Sequence, residues 1–390
     1  SVKVLSVDGE IEARGVEFDG RAGVRILRAD GTSSELKARD LVEIGFRRES
    51  VPLPQEKESV SVGLFNGDIV VGKLLQGESN AIRVETKILG SVAVPFDDVR
   101  WILFREAIAD RNVKPSGGDL LRYVGGDEDS GRILSVGAEG VVFKSTQRGE
   151  LTEPIERIGA IVLEVLDENR RVNAPEGLVG EMNLTDGSRW SGVIGRIDAS
   201  NVEATMLIAA IGKKTIPIAS VAHIAFQNKR IVYLSDLTPA SANERPYIEG
   251  EGAIAFTCRK DSCVVGPSRP IAIDGKVYRK GLGVHSYSLL VFKTDKKYSR
   301  FSAVAGLDDS TGGQGSVEIR VYGDKKKLFD SGLLVGKKWM EKFPKASSGA
   351  RDVNVDLRNI DELMLVVDFG PDGDVLDRAA WANAFLVLAE

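Results

Sequence analysis

Histidine, cysteine and methionine are scarce in this chain of 390 residues, at two, two and four, and the scarcity closes off several kinds of chemistry. A structural zinc site usually takes four ligands, yet His223 and His285 have no ligand-like spacing around Cys258 and Cys263. Those cysteines either close a small disulfide loop, if their Cα atoms lie within about 4.4–6.8 Å, or remain two free thiols in a core. A Ser-His-Asp hydrolase would have only two histidines to draw on and no nucleophile elbow. A glycosidase needs two carboxylates facing each other across a cleft, and the adjacent Asp308 and Asp309 offer no partner acid. An enzyme is therefore not expected.

Positive charge is in deficit as well. The net charge is −5 and the pI near 5.5, whereas phosphate binding needs clustered Lys and Arg that release counterions. Nucleic acid is not expected as a partner. The longest apolar run, near residues 204–211, is far short of the roughly 20 residues that span a bilayer, so no membrane span is expected. The chain opens at Ser1, which fits a mature form from which a leader was removed, and a secreted, periplasmic or cell-surface location follows as an expectation.

What is present is glycine, at 42 residues, with valine and isoleucine spread throughout and 43% hydrophobic residues. That composition suits many short strands joined by tight turns, in two or more domains. An all-β chain is expected.

The first 230 residues repeat with a period of about 60. Four copies each open with a turn, at Asp8-Gly9, Asn66-Gly67, Gly126-Asp127 and Asp186-Gly187, followed by a second glycine at Gly15, Gly72, Gly131 and Gly192. Each closes on an apolar pattern around Ile44, Ile102, Ile161 and Ile224. From turn glycine to closing isoleucine the separation is 35 residues in the first three copies and 37 in the fourth. Val60-Ser61-Val62-Gly63-Leu64-Phe65 and Ala81-Ile82-Arg83-Val84-Glu85-Thr86 alternate as half-buried strands do, and the Asn-Gly and Asp-Gly turns read as type I′ hairpins. Five short strands in about 50 residues make a small, strongly bent barrel. The copies, placed at 1–50, 58–106, 117–168 and 178–228, resemble Sm-like or SH3-like barrels. No copy carries the basic loop beside a stacking aromatic that would hold an RNA base, so they read as spacers or interaction modules, packed as a chain or in pairs. Residues 49–59, with Pro52 and Pro54, and 107–119, with Pro115, Gly117 and Gly118, read as linkers.

From Arg230 the text changes, and 229–246 is expected as a linker. Beyond it stand Lys280-Gly281-Leu282-Gly283-Val284-His285-Ser286, Gly306-Leu307-Asp308-Asp309, a Gly-Ser-Val-x-Ile-x-Val strand at 315–321, Leu328-Phe329-Asp330-Ser331-Gly332 and Trp381-Ala382. In this order and spacing, 247–390 resembles the NPCBM domain, a carbohydrate-binding β-sandwich found beside glycoside hydrolases and in secreted bacterial proteins. The resemblance implies a jelly roll of galactose-binding type. Runs at 288–293, 300–305, 317–322, 353–357, 363–369 and 385–388, separated by Gly- and Asp-rich turns, agree with such a sandwich.

Sugar recognition needs an aromatic face and planar polar groups. Trp381, Trp339 and Tyr287 are candidates for stacking, and His285, Asp308, Asp309 and Asp377 for hydrogen bonds. Each has a plainer reading: Trp381 as core, His285 as a buried turn residue, Asp308 and Asp309 as turn caps, Trp339 as an interface. Members of the family can carry a structural calcium ion, for which Asp308, Asp309 and Asp377 would be the natural ligands. Terminal segments of such sandwiches meet, so His285 and Trp381 are expected within about 10 Å of each other, with Asp377 or Asp309 bonded to one of them. Two readings follow. One is a non-catalytic extracellular protein whose sandwich binds a glycan, galactose-type first. The other is a structural or assembly protein whose repeats and sandwich contact proteins, such as one at a cell surface.

Overall fold

The structure, a computed structural model, describes residues 2–21, 23–46, 59–104, 115, 117–164, 176–248, 250, 256–266 and 269–389. The chain divides into two compact units, Ser1–Asn228 and Lys229–Glu390. Both are built of β-strands with short 3-10 turns. Of the linkers expected at 49–59 and 107–119, residues 49–58, 107–114 and 116 lie outside the described residues, and Asp119 already opens the strand Asp119–Tyr123.

In the second repeat, strands Ser59–Leu64, Ile69–Leu74, Ala81–Thr86, Gly90–Pro95 and Val99–Leu103 follow one another, with a 3-10 turn at Phe96–Asp98 before the last. The first strand pairs with the second and with the last, so the meander returns on itself. The third and fourth repeats run the same way. In the first, the second strand is interrupted, as Gly9–Ala13 and Gly15–Phe18. The repeats associate through their closing strands, the fourth with the first and the third with the second. Ile224 stands directly across from Ile44, and Ile161 across from Ile102. All four isoleucines are fully buried, which stabilises each by roughly 1.5–3 kcal/mol. The sequence motif that marks each repeat thus also joins it to another.

The opening turns differ from the type I′ expectation. Gly67, Gly126 and Gly187 take φ of 90°, 93° and 83°, and among the described residues of the repeats no other residue type has positive φ. The Gly67 N–H donates to the Leu64 carbonyl (3.0 Å) and the Leu64 N–H to the Asp68 carbonyl (2.9 Å), a pattern shared by Gly126 and Gly187. This is a type I turn followed by a left-handed glycine. Asn66 and Asp186 suit it by accepting the N–H two residues on, at 3.1 and 2.9 Å.

The second glycines mark where the bent strand presses on its neighbour. A Cβ at Gly72 would sit 2.2 Å from the Glu85 carbonyl oxygen, and one at Gly131 2.2 Å from that of Lys144. At Gly15 the nearest atom is a Leu27 methyl at 3.6 Å, an ordinary contact. Gly131→Ala is therefore expected to cost about 1–3 kcal/mol and Gly15→Ala nearly nothing, as read by chemical denaturation. Equal losses at the two sites would contradict this account.

In the second unit, two antiparallel sheets face each other. One runs Arg259–Lys260, Gly281–His285, Arg378–Leu388, Tyr298–Leu307, Arg351–Asp356, and the other Ser241–Glu244, Ser288–Lys293, Glu362–Phe369, Ser316–Gly323, Lys326–Val335. Leu282, Phe301, Trp381 and Leu386 from the first meet Leu290, Ile319, Leu365 and Val367 from the second in one core. The final strand carries a bulge at Asn383, whose φ is 45°. It shifts the inward set from Ala379 and Trp381 to Ala384 and Leu386. The segment expected as a linker, 229–246, instead supplies Ile231–Tyr233, paired with the final strand, and the edge strand Ser241–Glu244. Ser241–Glu244 is short and mostly polar, which is how edge strands read.

Candidate functional site

Pairings of His285 with Arg378, Leu307 with Ala379, Ser288 with Val367, Val317 with Phe369 and Ser316 with Val335 place one end of each of these strands together. The loops that carry Tyr287, Asp308, Asp309, Trp339 and Asp377 therefore leave the sandwich at one end. Trp381 does not reach it. Its side chain is 1% exposed, packed 6.3 Å from the ring of Phe301.

The strands of His285 and Trp381 do pair as expected, but their side chains stand on opposite faces. Trp381 lies across from Leu282 and points with it into the core, whereas His285 lies across from Arg378, an odd number of residues along. His285 is buried, stacks on Phe256 at 4.4 Å, and its Nδ1–H donates to the Ser286 carbonyl (2.9 Å). Burial lowers its pKa and so favours the neutral ring. Its hydrogen bond goes to a carbonyl rather than to Asp377 or Asp309.

The three aspartates are braces. Asp308 accepts from the N–H groups of Ala272 (3.0 Å) and Ser310 (2.9 Å) and from the Cys263 thiol (3.3 Å). Asp309 accepts from the N–H groups of Asp274 and Gly275, at 3.0 and 2.8 Å, and so holds the turn between Ile271–Ile273 and Lys276–Tyr278. Asp377 is fully buried and accepts from Ser286 Oγ and the Ser316 N–H, both at 2.7 Å. Burial, with Asp372 and Asp374 nearby, pushes its carboxyl up to about 7. Each carboxylate is thus spent on donors of its own surroundings. Among the described residues no group of three or more His, Cys, Asp or Glu side chains is placed to hold a metal ion, so the expected calcium ligands do not converge. Cys258 and Cys263 are both free thiols, and burial pushes that of Cys258 up to about 12.

Tyr287 is half-buried, with the Arg245 guanidinium 5.0 Å from its ring centroid and Phe369 6.1 Å away. Beside it, and passed over in the sequence, Tyr247 is 57% exposed, sets its ring edge-on to Phe369 at 5.1 Å and donates its N–H to Asp374 (2.9 Å). The neighbouring Ile248 is 76% exposed. Two large apolar residues in succession after Arg245-Pro246 were the available signal. Trp339 is half-buried in the 3-10 turn Lys337–Trp339, with the Lys342 ammonium 4.8 Å from its ring. The end of the sandwich thus presents aromatic rings flanked by guanidinium and carboxylate groups, the combination that binds a sugar's apolar face and its hydroxyls.

Residues 230–387 match the family model of the NPCBM/NEW2 domain, so the second unit is a domain of this carbohydrate-binding class. Alpha-1,3-galactosidase B of Akkermansia muciniphila is 32% identical over 117 residues, which are 29% of this chain and 13% of that protein. The chain thus spans a small part of that curated relative. Among solved structures, a CBM51 module of Clostridium perfringens GH95 in complex with methyl-galactose is 29% identical, covering 40% of this chain and 99% of the module, at a TM-score of 0.33. The CBM51-2 and INT domains of Clostridium perfringens ZmpB are 27% identical, covering 49% of this chain and 37% of that one, at a TM-score of 0.33. The resemblance of the repeats to Sm-like or SH3-like barrels receives no support from these comparisons.

Proposed function

We propose that the NPCBM/NEW2 domain of this chain binds a glycan without transforming it, at the loop end where Tyr287 and Tyr247 flank Phe369. The observation that carries this reading is the exposed aromatic group bordered by Arg245 and Asp374, at an end where Asp308, Asp309 and Asp377 are spent as internal braces. Galactose-type sugars are the first expectation, motivated by the family match and by the galactosidase that is 32% identical over 117 residues. Tyr287 and Tyr247 supply stacking faces, Arg245 and Asp374 the polar contacts, and Trp339 a further platform. A secreted or surface location accords with this role.

Titration calorimetry of the whole chain with methyl-galactoside tests it. Tyr287→Ala is expected to weaken binding about tenfold, equivalent to about 1.4 kcal/mol, with the melting temperature nearly unchanged. If the wild-type chain binds nothing on an array of plant, algal and mucin-type glycans, with or without calcium, the reading is wrong.

A further inference from the structure

The second, third and fourth repeats serve as controls for one another, and the third departs from the other two at one place. Leu64, Tyr123 and Leu184 are equivalent, since each accepts the N–H of its turn glycine. Val94, Glu153 and Ile216 are equivalent, since each precedes the proline that opens a 3-10 turn. Leu89 and Arg148 are equivalent, since each donates its N–H to the hydroxyl three residues earlier. In the second and fourth repeats Leu64, Val94, Leu184 and Ile216 are buried apolar residues, with Leu89 packed against the same core. The third repeat replaces this plug with Tyr123, Glu153 and Arg148.

The replacements form a network at a groove of about 640 Å³. Tyr123 donates its hydroxyl to Glu153 (3.0 Å), which is only 5% exposed, and accepts from Arg148. Arg148 also holds Asp129, and Arg157 holds Glu153 at 3.1 Å. A buried carboxylate in place of valine or isoleucine is tolerated only when it is well partnered, as Glu153 is by Tyr123 and Arg157, and the three coordinated departures give this end of the third repeat a polar floor where the second and fourth have an apolar one. The groove is within the size range of small-ligand sites.

We infer that this groove in the third repeat is a second ligand site, for a neutral sugar. Guanidinium donors stand beside carboxylate acceptors there, and a sugar hydroxyl can accept from one while donating to the other. Exposed Val124, at 45%, borders the opening and suits a sugar's C–H face. Asp127, Glu128, Asp129 and Glu156 outnumber Arg148 and Arg157 along the lining, which disfavours phosphorylated or sialylated ligands. The inference concerns the first unit and does not depend on the reading of the second.

The test is an array of neutral, acidic and amino-sugar oligosaccharides with polylysine as an added spot, probed with the whole chain. The variant Tyr123→Leu/Arg148→Leu/Glu153→Val copies the second repeat and is expected to melt no lower than wild type. Neutral-sugar signals that survive Tyr287→Ala are expected to fall at least about tenfold in the triple variant. Signals lost in Tyr287→Ala and untouched in the triple variant would overturn this inference while upholding the C-terminal one. Binding to polylysine alone, or to no neutral sugar once Tyr287 is replaced, would overturn it as well. Should the triple variant fail to fold, Glu153→Gln with the same readout takes its place.

Discussion

Replacing Trp381 by alanine is expected to cost about 3–5 kcal/mol of stability while leaving glycan affinity per folded molecule unchanged. The ring lies at 1% exposure in the main core of the sandwich, against Phe301 and beside Leu282, so its removal opens a cavity in a densely packed layer. Its own backbone adds to the constraint, because the strand is paired on both sides, with Gly281–His285 and with Tyr298–Leu307. Trp381→Phe should lose much less. Denaturation followed by near-UV circular dichroism gives the stability, and calorimetry on the folded fraction gives the affinity. A variant that melts normally yet no longer binds would show that the ring is a platform after all.

The strands of the second unit were largely legible because their cores alternate. Ser288–Lys293 matches its expected bounds, and Tyr298–Leu307 and Ser316–Gly323 extend theirs by one or two residues. The final strand begins seven residues earlier than its hydrophobic run suggests, since Ala379, Ala380 and Ala382 carry little strand propensity and are held there by pairing on both sides. The strands within 229–246 were missed because they are short, three and four residues, and Ser241–Glu244 is mostly polar where one side is solvent.

The site was less legible than the fold. Motif residues such as His285, Asp308, Asp309 and Trp381 recur in such domains, yet here they stack, brace and fill. A recurring residue type says that a position is constrained, and both ligands and backbone amides constrain aspartate in the same way. Tyr247 and Arg245 carry no motif, and only the convergence of 245–248 with 369–374 brings them beside Tyr287. In the repeats the reverse held. The closing isoleucines were visible as a pattern, but that they would pair first with fourth and second with third needed the three-dimensional register.

Asp377 should make the second unit more stable as pH falls from about 7 to about 4. Its carboxyl is raised in the fold to about 7 from an ordinary value of 3.8, mainly by burial, so over that window the folded chain holds a proton that the unfolded chain has released. Stability therefore declines as pH rises through the window and is level above it. At about 1.4 kcal/mol per pH unit, the whole effect is up to about 4 kcal/mol. His285 acts in the opposite sense, because burial lowers its pKa and the unfolded chain takes up its proton first as pH falls. The comparison that isolates the aspartate is Asp377→Asn, whose amide can still accept from the Ser316 N–H and donate to Ser286 Oγ. Near pH 4 the variant and wild type should be of similar stability, and near pH 8 the variant should be the more stable by several kcal/mol. Parallel stability curves for the two proteins between pH 4 and 8 would mean that Asp377 is ionised throughout and that its two donors, rather than burial, govern it.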